Sequence, residues 1–259
     1  MSSKKSPIEK EWMDLIKNEE KFEISRMKAR PQVLKEKLDE YIPEKLQNAL
    51  DMAFNKEFKF VFEKGSGIIG RTYNKEENEY EYKVKEYALK LKESKKNLRQ
   101  FSKKAVAVKN ANIVVAGFAG IGMGLIGVGI PDIPVFTSMM LRSIYQIAMS
   151  FGFDYDDANE QAFILKLIEV PLKDGVDFAE ANSELNKLID EEEKLLISRE
   201  EQISITSKVL ADSMIAMKFL QGIPIVGLVG GLNDFLYMNR ISTYAMLKYK
   251  RRFLIKNRA

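Results

Sequence analysis

Three features of the sequence predict an all-α fold, a helical bundle around a glycine-rich apolar helical hairpin. Apolar residues recur at spacings of three and four through most of the 259 residues, the period of an amphipathic helix. No stretch sustains an alternation of period two, and no Asn-Gly pair joins two apolar runs as a β-hairpin would require. Finally, Asn110 to Pro131 is a run of 22 uncharged residues in a chain that is 30% charged, so one segment is set apart from solvated helix faces.

The elements follow in order. Ser6-Pro7-Ile8-Glu9 is a helix start, with Ser6 as cap, Pro7 in the first turn and Glu9 completing a capping box. Trp12, Leu15, Ile16, Phe22 and Ile24 then give an apolar stripe to about Met27. A second helix is expected from Pro31 to about Phe62, kinked or split at Pro43. Gly65-Ser66-Gly67 and Gly70 mark a loop. Asn74 caps a charged helix from Lys75 to about Lys103, in which Tyr80, Val84, Tyr87, Leu91 and Leu98 are expected to face inward. The hairpin then takes 110–131 and 133–153, with Gly129-Ile130-Pro131-Asp132-Ile133-Pro134 as its turn and Asp132 as cap of the second arm. Further helices are expected over Ala158–Val170, Val176–Ile197, Glu200–Leu220 and Asn233–Leu254, the last pair interrupted by Gly222-Ile223-Pro224 and Gly230-Gly231. The whole forms a single domain: charged N-terminal helices (1–109), the apolar centre (110–153) and C-terminal helices (154–259).

Composition restricts the chemistry. Cysteine and histidine are both absent, which excludes thiol nucleophiles, imidazole bases, thiolate or imidazole zinc sites and disulfides. Carboxylates, Lys, Arg, Tyr, Ser, Thr and backbone remain. The net charge of +4 is unevenly placed: residues 1–109 carry 26 Lys/Arg against 19 Asp/Glu, and Tyr244–Ala259 holds six basic residues and no acid. MSSKKSPIEK has no apolar core of a secretory signal, so a cytoplasmic start is expected.

The apolar centre is long enough for a hydrocarbon core, about 20 residues being needed. Its glycines include Gly120-x-x-x-Gly124, echoed by Gly227-x-x-x-Gly231, a spacing that lets helices approach closely. Each glycine costs a helix in water about 1 kcal/mol relative to alanine, offset by close packing, a membrane or an irregular backbone. The segment is therefore either the buried centre of a bundle or a region of shallow membrane contact. For the second reading, Lys95, Lys96, Arg99, Lys103, Lys104 and Lys109 on one side and Lys248, Lys250, Arg251 and Arg252 on the other are the candidate contacts to anionic lipid. Arg142, alone in an apolar run, needs an acidic partner if buried, with Asp234 or Glu169 as candidates.

Other motifs fail on context. Gly122-x-Gly124-x-x-Gly127 matches a dinucleotide fingerprint, but Pro131 and Pro134 break the helix it needs and no acid follows at about 20 residues. Asp154, Asp156 and Asp157 lack the glycine of a calcium loop and suit a solvated, helix-capping turn. No Walker triplet and no nucleic-acid-binding motif is present, so no cofactor, metal or nucleic-acid partner is expected.

Gly127-Val-Gly-Ile-Pro-Asp132-Ile-Pro134, then Leu141-Arg142-Ser-Ile-Tyr-Gln-Ile-Ala148 and Phe151-Gly152-Phe153-Asp154, resembles the central signature of the EcsC family. Pro31–Phe62, the positions Pro224, Gly227, Gly231 and Asn233, and the basic end Lys250-Arg251-Arg252-Phe253-Leu254 extend the likeness over most of the chain. Phenylalanine stands at 151 and 153 where the family pattern has tyrosine. The resemblance implies a helical, membrane-associated protein linked to a bacterial ABC exporter and protein secretion. By position it makes Asp132, Pro134, Arg142 and Asn233 signature residues, none of them catalytic; Asp234 and Arg240 join them as ion-pair candidates.

The expected function is thus a non-enzymatic accessory protein at the inner face of the cell membrane, binding lipid or a membrane protein complex. A carboxylate-based hydrolase or lipid-handling enzyme, with Asp132 beside Asp234 or Glu169, is the alternative from another class. An interaction module of a bacterial conflict system is a third.

Overall fold

A computed structural model describes residues 5–27, 44–64, 67–124, 132–193, 195–222 and 231–258. It is all-α: α1 (Pro7–Met27), α2 (Glu44–Lys64), α3 (Lys75–Leu91), α4 (Lys95–Gly124), α5 (Ile133–Ser150), α6 (Ala158–Glu169), α7 (Gly175–Asp190), α8 (Arg199–Gly222) and α9 (Gly231–Lys256). Gly67–Gly70 adds one helical turn and Val170–Leu172 a 3-10 turn, and no strand occurs among the described residues. Position 43, the expected kink, lies outside the described residues, as do 125–131, the turn expected between α4 and α5.

Side-chain chemistry sets most helix ends. Ser6 Oγ accepts from the Glu9 amide at 3.2 Å while Glu9 Oε2 accepts from the Ser6 amide at 2.8 Å, the reciprocal capping box. Asn74, Asp132 and Asp157 cap α3, α5 and α6 through side-chain oxygens that accept from first-turn amides.

The helix expected over Lys75–Lys103 is two helices. Lys92 is extended at the end of α3, and Ser94 Oγ accepts from the Asn97 amide at 3.2 Å to start α4. Asn97 Nδ2 donates back to the Lys92 carbonyl and to that of Ala88, which also accepts from the Lys92 amide, and so ties the start of α4 to the end of α3. Consequently α4 carries the basic run and the start of the apolar run on one axis.

The face of α3 is also reversed. Leu89 is its buried residue, and half-buried Tyr82 rests on Phe101 with ring centroids 5.7 Å apart. Tyr80, Val84, Tyr87 and Leu91 point outward, 70%, 51%, 65% and 70% exposed. Two stripes at helical spacing compete in this segment, and the one led by Tyr82 and Leu89 packs on α4 and α5. A third difference is at α7, which stops at Asp190 rather than Ile197. Glu192 turns left-handed, φ 52°, and the Glu193 amide donates to Leu188 O at 3.0 Å. Acids at 190–193 accumulate where the helix dipole is already negative, which favours termination there.

Helix α9 is the centre of the molecule, packing on α1, α4, α5, α6 and α7. Tyr237, Met238, Ile241, Tyr244, Ala245, Tyr249, Phe253 and Leu254 are all at most 2% exposed. Its residues bury nearly all round the axis, so its charged residues must find partners inside the protein. On the other flank α8 packs between α2 and α6. Polar links tie the layers: Asn112 Nδ2 donates to Gln146 Oε1 at 2.7 Å between α4 and α5, and Ser143 and Ser242 hydroxyls meet at 2.9 Å between α5 and α9.

Candidate functional site

The signature residues fall into structural roles where they are described. Asp132 is exposed, its Oδ1 accepting from the Val135 amide at 3.2 Å, and Pro134 occupies the first turn where its missing N–H costs nothing. Glu57 of α2 faces this cap, and burial together with the Asp132 charge pushes its carboxyl above the ordinary value. Phe151-Gly152-Phe153 closes α5 as a Schellman turn, with Gly152 N–H to Met149 O at 3.0 Å and Phe153 N–H to Ala148 O at 3.1 Å. Gly152 has φ +80°, and a Cβ there would sit 2.1 Å from the Tyr82 ring. Glycine is required twice over, by backbone conformation and by packing.

Arg142 lies half-buried on α5, and its Nε has no hydrogen-bond partner among the described residues. Glu169, one of its expected partners, is engaged elsewhere: Lys173 Nζ approaches to 2.6 Å, Lys166 Nζ to 3.1 Å and Gln202 Nε2 to 2.6 Å. Burial raises the Glu169 pKa, but the two lysines and Gln202 outweigh it and hold the carboxyl below the ordinary value. Asn233 and Asp234 are in the first turn of α9, with side chains outside those the structure describes. Arg240 lies 5.8 Å from the Tyr237 ring centre, on the same helix. Among the described residues no cluster of three or more carboxylates could hold a metal.

The basic C-terminal run turns inward rather than outward. Lys248, with a side chain 2% exposed, donates to Glu19 Oε1 at 2.8 Å and to Asn186 Oδ1 at 2.7 Å. Arg251 bridges Glu19 at 2.6 Å and Asp190 through two bonds of 2.7 and 2.6 Å. Lys250 reaches Glu11 at 2.8 Å. Arg252 grips both oxygens of Glu160 at 2.7 and 2.9 Å, its guanidinium 4.1 Å from the Phe153 ring centre and 4.4 Å from that of Phe163. This last pair lines a cavity of about 460 Å³ between α6, α7 and α9. Burial lowers the Lys248 pKa, with Glu19 opposing the shift. All four cations are paired with acids; Lys248 and Arg251 are buried, while Lys250 and Arg252 are half-buried, the side chain of Arg252 being 25% exposed.

The other basic run, on α4, divides. Lys104 pairs with Glu81 at 2.9 Å, and half-buried Lys109 donates to Asn239 and Thr243 of α9 at 3.4 and 3.2 Å. Lys95 and Arg99 lean on Asp14 and Glu11 of α1 at 3.8 and 2.9 Å. Lys96 and Lys103 are exposed and make no ion pair among the described residues, as are Lys17 and Lys21 of α1. Arg99 and Lys103 line, with Lys17 and Lys21, a groove of about 690 Å³ between α1 and α4. Beyond it the same side of α4 turns apolar: Val106, Val114 and Val115 are 38%, 54% and 50% exposed, with Ala107, Asn110 and Ala111 exposed among them. One helix face thus grades from basic to apolar over about 28 Å.

Sequence reasoning missed the carboxylates that receive the C-terminal cations. Glu11 and Glu19 share the buried face of α1 with Ile8, Leu15 and Arg26. The spacing 11, 15, 19 placed them on that face, but an apolar-only stripe passes over them. It also missed Tyr155, stacked on Tyr145 at 4.1 Å and hydrogen-bonded to Tyr73 at 2.7 Å.

No helix among the described residues is long and apolar enough to cross a membrane. Protein EcsC of Bacillus subtilis (strain 168) is 27% identical over 161 residues, 62% of this chain and 59% of that protein, so the match spans somewhat over half the length of the curated relative. No solved structure matches. The sequence profile of the EcsC protein family matches residues 9–254, nearly the whole bundle from the first turn of α1 to the end of α9, and the chain belongs to that family.

Proposed function

We propose that this chain is a non-enzymatic peripheral protein that docks on the anionic face of a membrane, alone or on a membrane protein complex such as an exporter. The observation that supports it is the exposed face of α4, where Lys96 and Lys103, with Lys17 and Lys21 beside them, lead into Val106, Val114 and Val115. Basic residues draw a surface toward anionic lipid, at about 1 kcal/mol each, and neighbouring apolar side chains then bury in the headgroup region. An inner-face location follows from the sign of the lipid charge. The link to an exporter rests on family membership.

Co-sedimentation with vesicles tests this reading. Binding to phosphatidylglycerol-containing vesicles and not to phosphatidylcholine vesicles is expected, lost as salt is raised. Lys96→Ala with Lys103→Ala removes about 2 kcal/mol, roughly thirty-fold in affinity. An absence of binding to anionic vesicles at low salt overturns the reading.

A further inference from the structure

The groove between α1 and α4 holds more positive charge than its own acids can meet. The two helices run the same way here, the Ile8 amide donating to Glu93 Oε1 just before α4 at 3.3 Å and Arg99 Nε to Glu11 Oε1 at 2.9 Å. At this end both acids of the lining are engaged: Glu11 by Arg99 and by Lys250 at 2.8 Å, Asp14 by Arg99 at 3.5 Å and by Lys95 at 3.8 Å. Further along, Lys17 and Lys21 on one wall and Lys103 on the other are exposed and make no ion pair among the described residues. Five cations thus face two acids in a groove of about 690 Å³. Lys103, Ala107, Asn110 and Val114 then stand in one line on α4 at spacings of four, three and four, so the basic wall leads within about 16 Å to a valine that is 54% exposed.

We infer, resting on the docking reading above, that this groove takes the head group of a single phospholipid and selects a phosphate monoester, with an acyl chain laid toward Val106 and Val114. A phosphodiester such as phosphatidylglycerol brings one negative charge. A monoester, with a second pKa of about 6, brings about 1.5 to 2 at neutral pH and three terminal oxygens, and ammonium groups beside it hold the second proton off. Lysines suit such a ligand, because each is a compact charge with three rotatable donors and Lys17, Lys21 and Lys103 approach from two walls. The apolar continuation favours a lipid over a soluble phosphate ester, which would leave Val106 and Val114 uncovered. Segments outside the described residues bring no counter-charge: 28–43 has four basic residues against three acidic, and 125–131 and 223–230 have none of either. Lys96 is not part of the groove lining and contributes only general attraction to an anionic surface.

Phosphatidylcholine vesicles containing either phosphatidic acid or phosphatidylglycerol, matched for surface potential, separate the head group from the charge. At neutral pH and about 0.1 M salt the full chain is expected to bind the phosphatidic acid vesicles about fivefold more tightly, the value of one further unit charge about 4 Å from an ammonium group in water. Lys21→Ala is expected to bring the two affinities within about twofold of each other, whereas Lys96→Ala lowers both alike and keeps their ratio. Circular dichroism verifies that both variants keep their helix content. Glycerol 3-phosphate, a soluble monoester, is expected at about 1 mM to displace less than about half of the protein from phosphatidic acid vesicles. Equal affinity for the two matched vesicles overturns the inference and leaves the docking reading standing, while no binding to either overturns both. A preference that survives Lys21→Ala puts the monoester elsewhere and overturns the inference too. Complete displacement by glycerol 3-phosphate overturns the assignment to a lipid.

Discussion

Replacing Glu19 by Gln tests the reading of the C-terminal basic run as core structure. The substitution preserves shape and removes the charge that receives Lys248 at 2.8 Å and Arg251 at 2.6 Å. Arg251 retains both bonds to Asp190, but Lys248, with a side chain 2% exposed, is left with uncharged acceptors only, Asn186 Oδ1 and the new amide carbonyl. Breaking a buried pair from one side costs about 3–5 kcal/mol, because the remaining charge is neither solvated nor matched. An unfolding entropy of about 0.5 kcal/mol/K for a chain this long converts that into a fall of about 6–9 °C in melting temperature. Burial already lowers the Lys248 pKa, and loss of Glu19 lowers it further. Between that folded value and the ordinary lysine value the unfolded chain binds the proton that the folded chain has released, so the variant gains stability as pH rises through this window. Glu19→Met with Lys248→Met removes both charges and is expected to stay within about 2 kcal/mol of the parent. Urea unfolding followed by far-UV circular dichroism measures all three proteins. A single variant within about 1 kcal/mol of the parent, or a double variant worse than the single, refutes the reasoning.

Three further outcomes are expected. Gly152→Ala loses about 2–4 kcal/mol in urea unfolding, since φ +80° and the Tyr82 ring 2.1 Å from the new Cβ both oppose it. Asp132→Ala costs about 1 kcal/mol through the lost cap on α5, whereas Asp132→Asn, which can still accept from the Val135 amide, costs a few tenths or about that; equal losses from both would mean that the carboxylate does more than cap. For Glu169, whose pKa is held below the ordinary carboxylate value, the charged pair contributes fully above that ordinary value and fades as pH falls through the lowered one. Glu169→Gln therefore loses about 1–3 kcal/mol at neutral pH in the same assay and has a flatter acid limb than the parent.

Much of the helical layout was legible in the sequence because caps are local. Ser6 with Glu9, Asn74, Asp132 and Asp157 announce their helices, and each makes the hydrogen bonds its type requires. Ser94 carried the same kind of signal and was obscured by the charged residues around it, so the break between α3 and α4 was read through. Orientation was less legible. In α3 two stripes satisfy the helical period, and only the packing of Tyr82 against Phe101 and Gly152 selects between them. From Tyr244 to the end of the sequence six basic residues without an acid suggest a surface, yet Tyr244, Leu247, Tyr249, Phe253 and Leu254 are interleaved with them and are buried. The balancing acids come from α1, α6 and α7, some of them more than two hundred residues away in sequence. No local window contains that information. The α4 face was half legible: Lys96 and Lys103 stand exposed, while Lys104 and Lys109 are spent on Glu81 and on α9.

The docking face itself is tested most directly by single cysteines carrying an environment-sensitive fluorophore, which the cysteine-free chain allows without background. Labels at Val106, Val114 and Val115 of α4 and at fully exposed Leu196, on the connection before α8, are compared on adding phosphatidylglycerol-containing vesicles. The account expects a blue shift and increased intensity at the three α4 positions, reversed by salt, with Leu196 unchanged. Equal responses at all four positions, or a response at Leu196 alone, would contradict it.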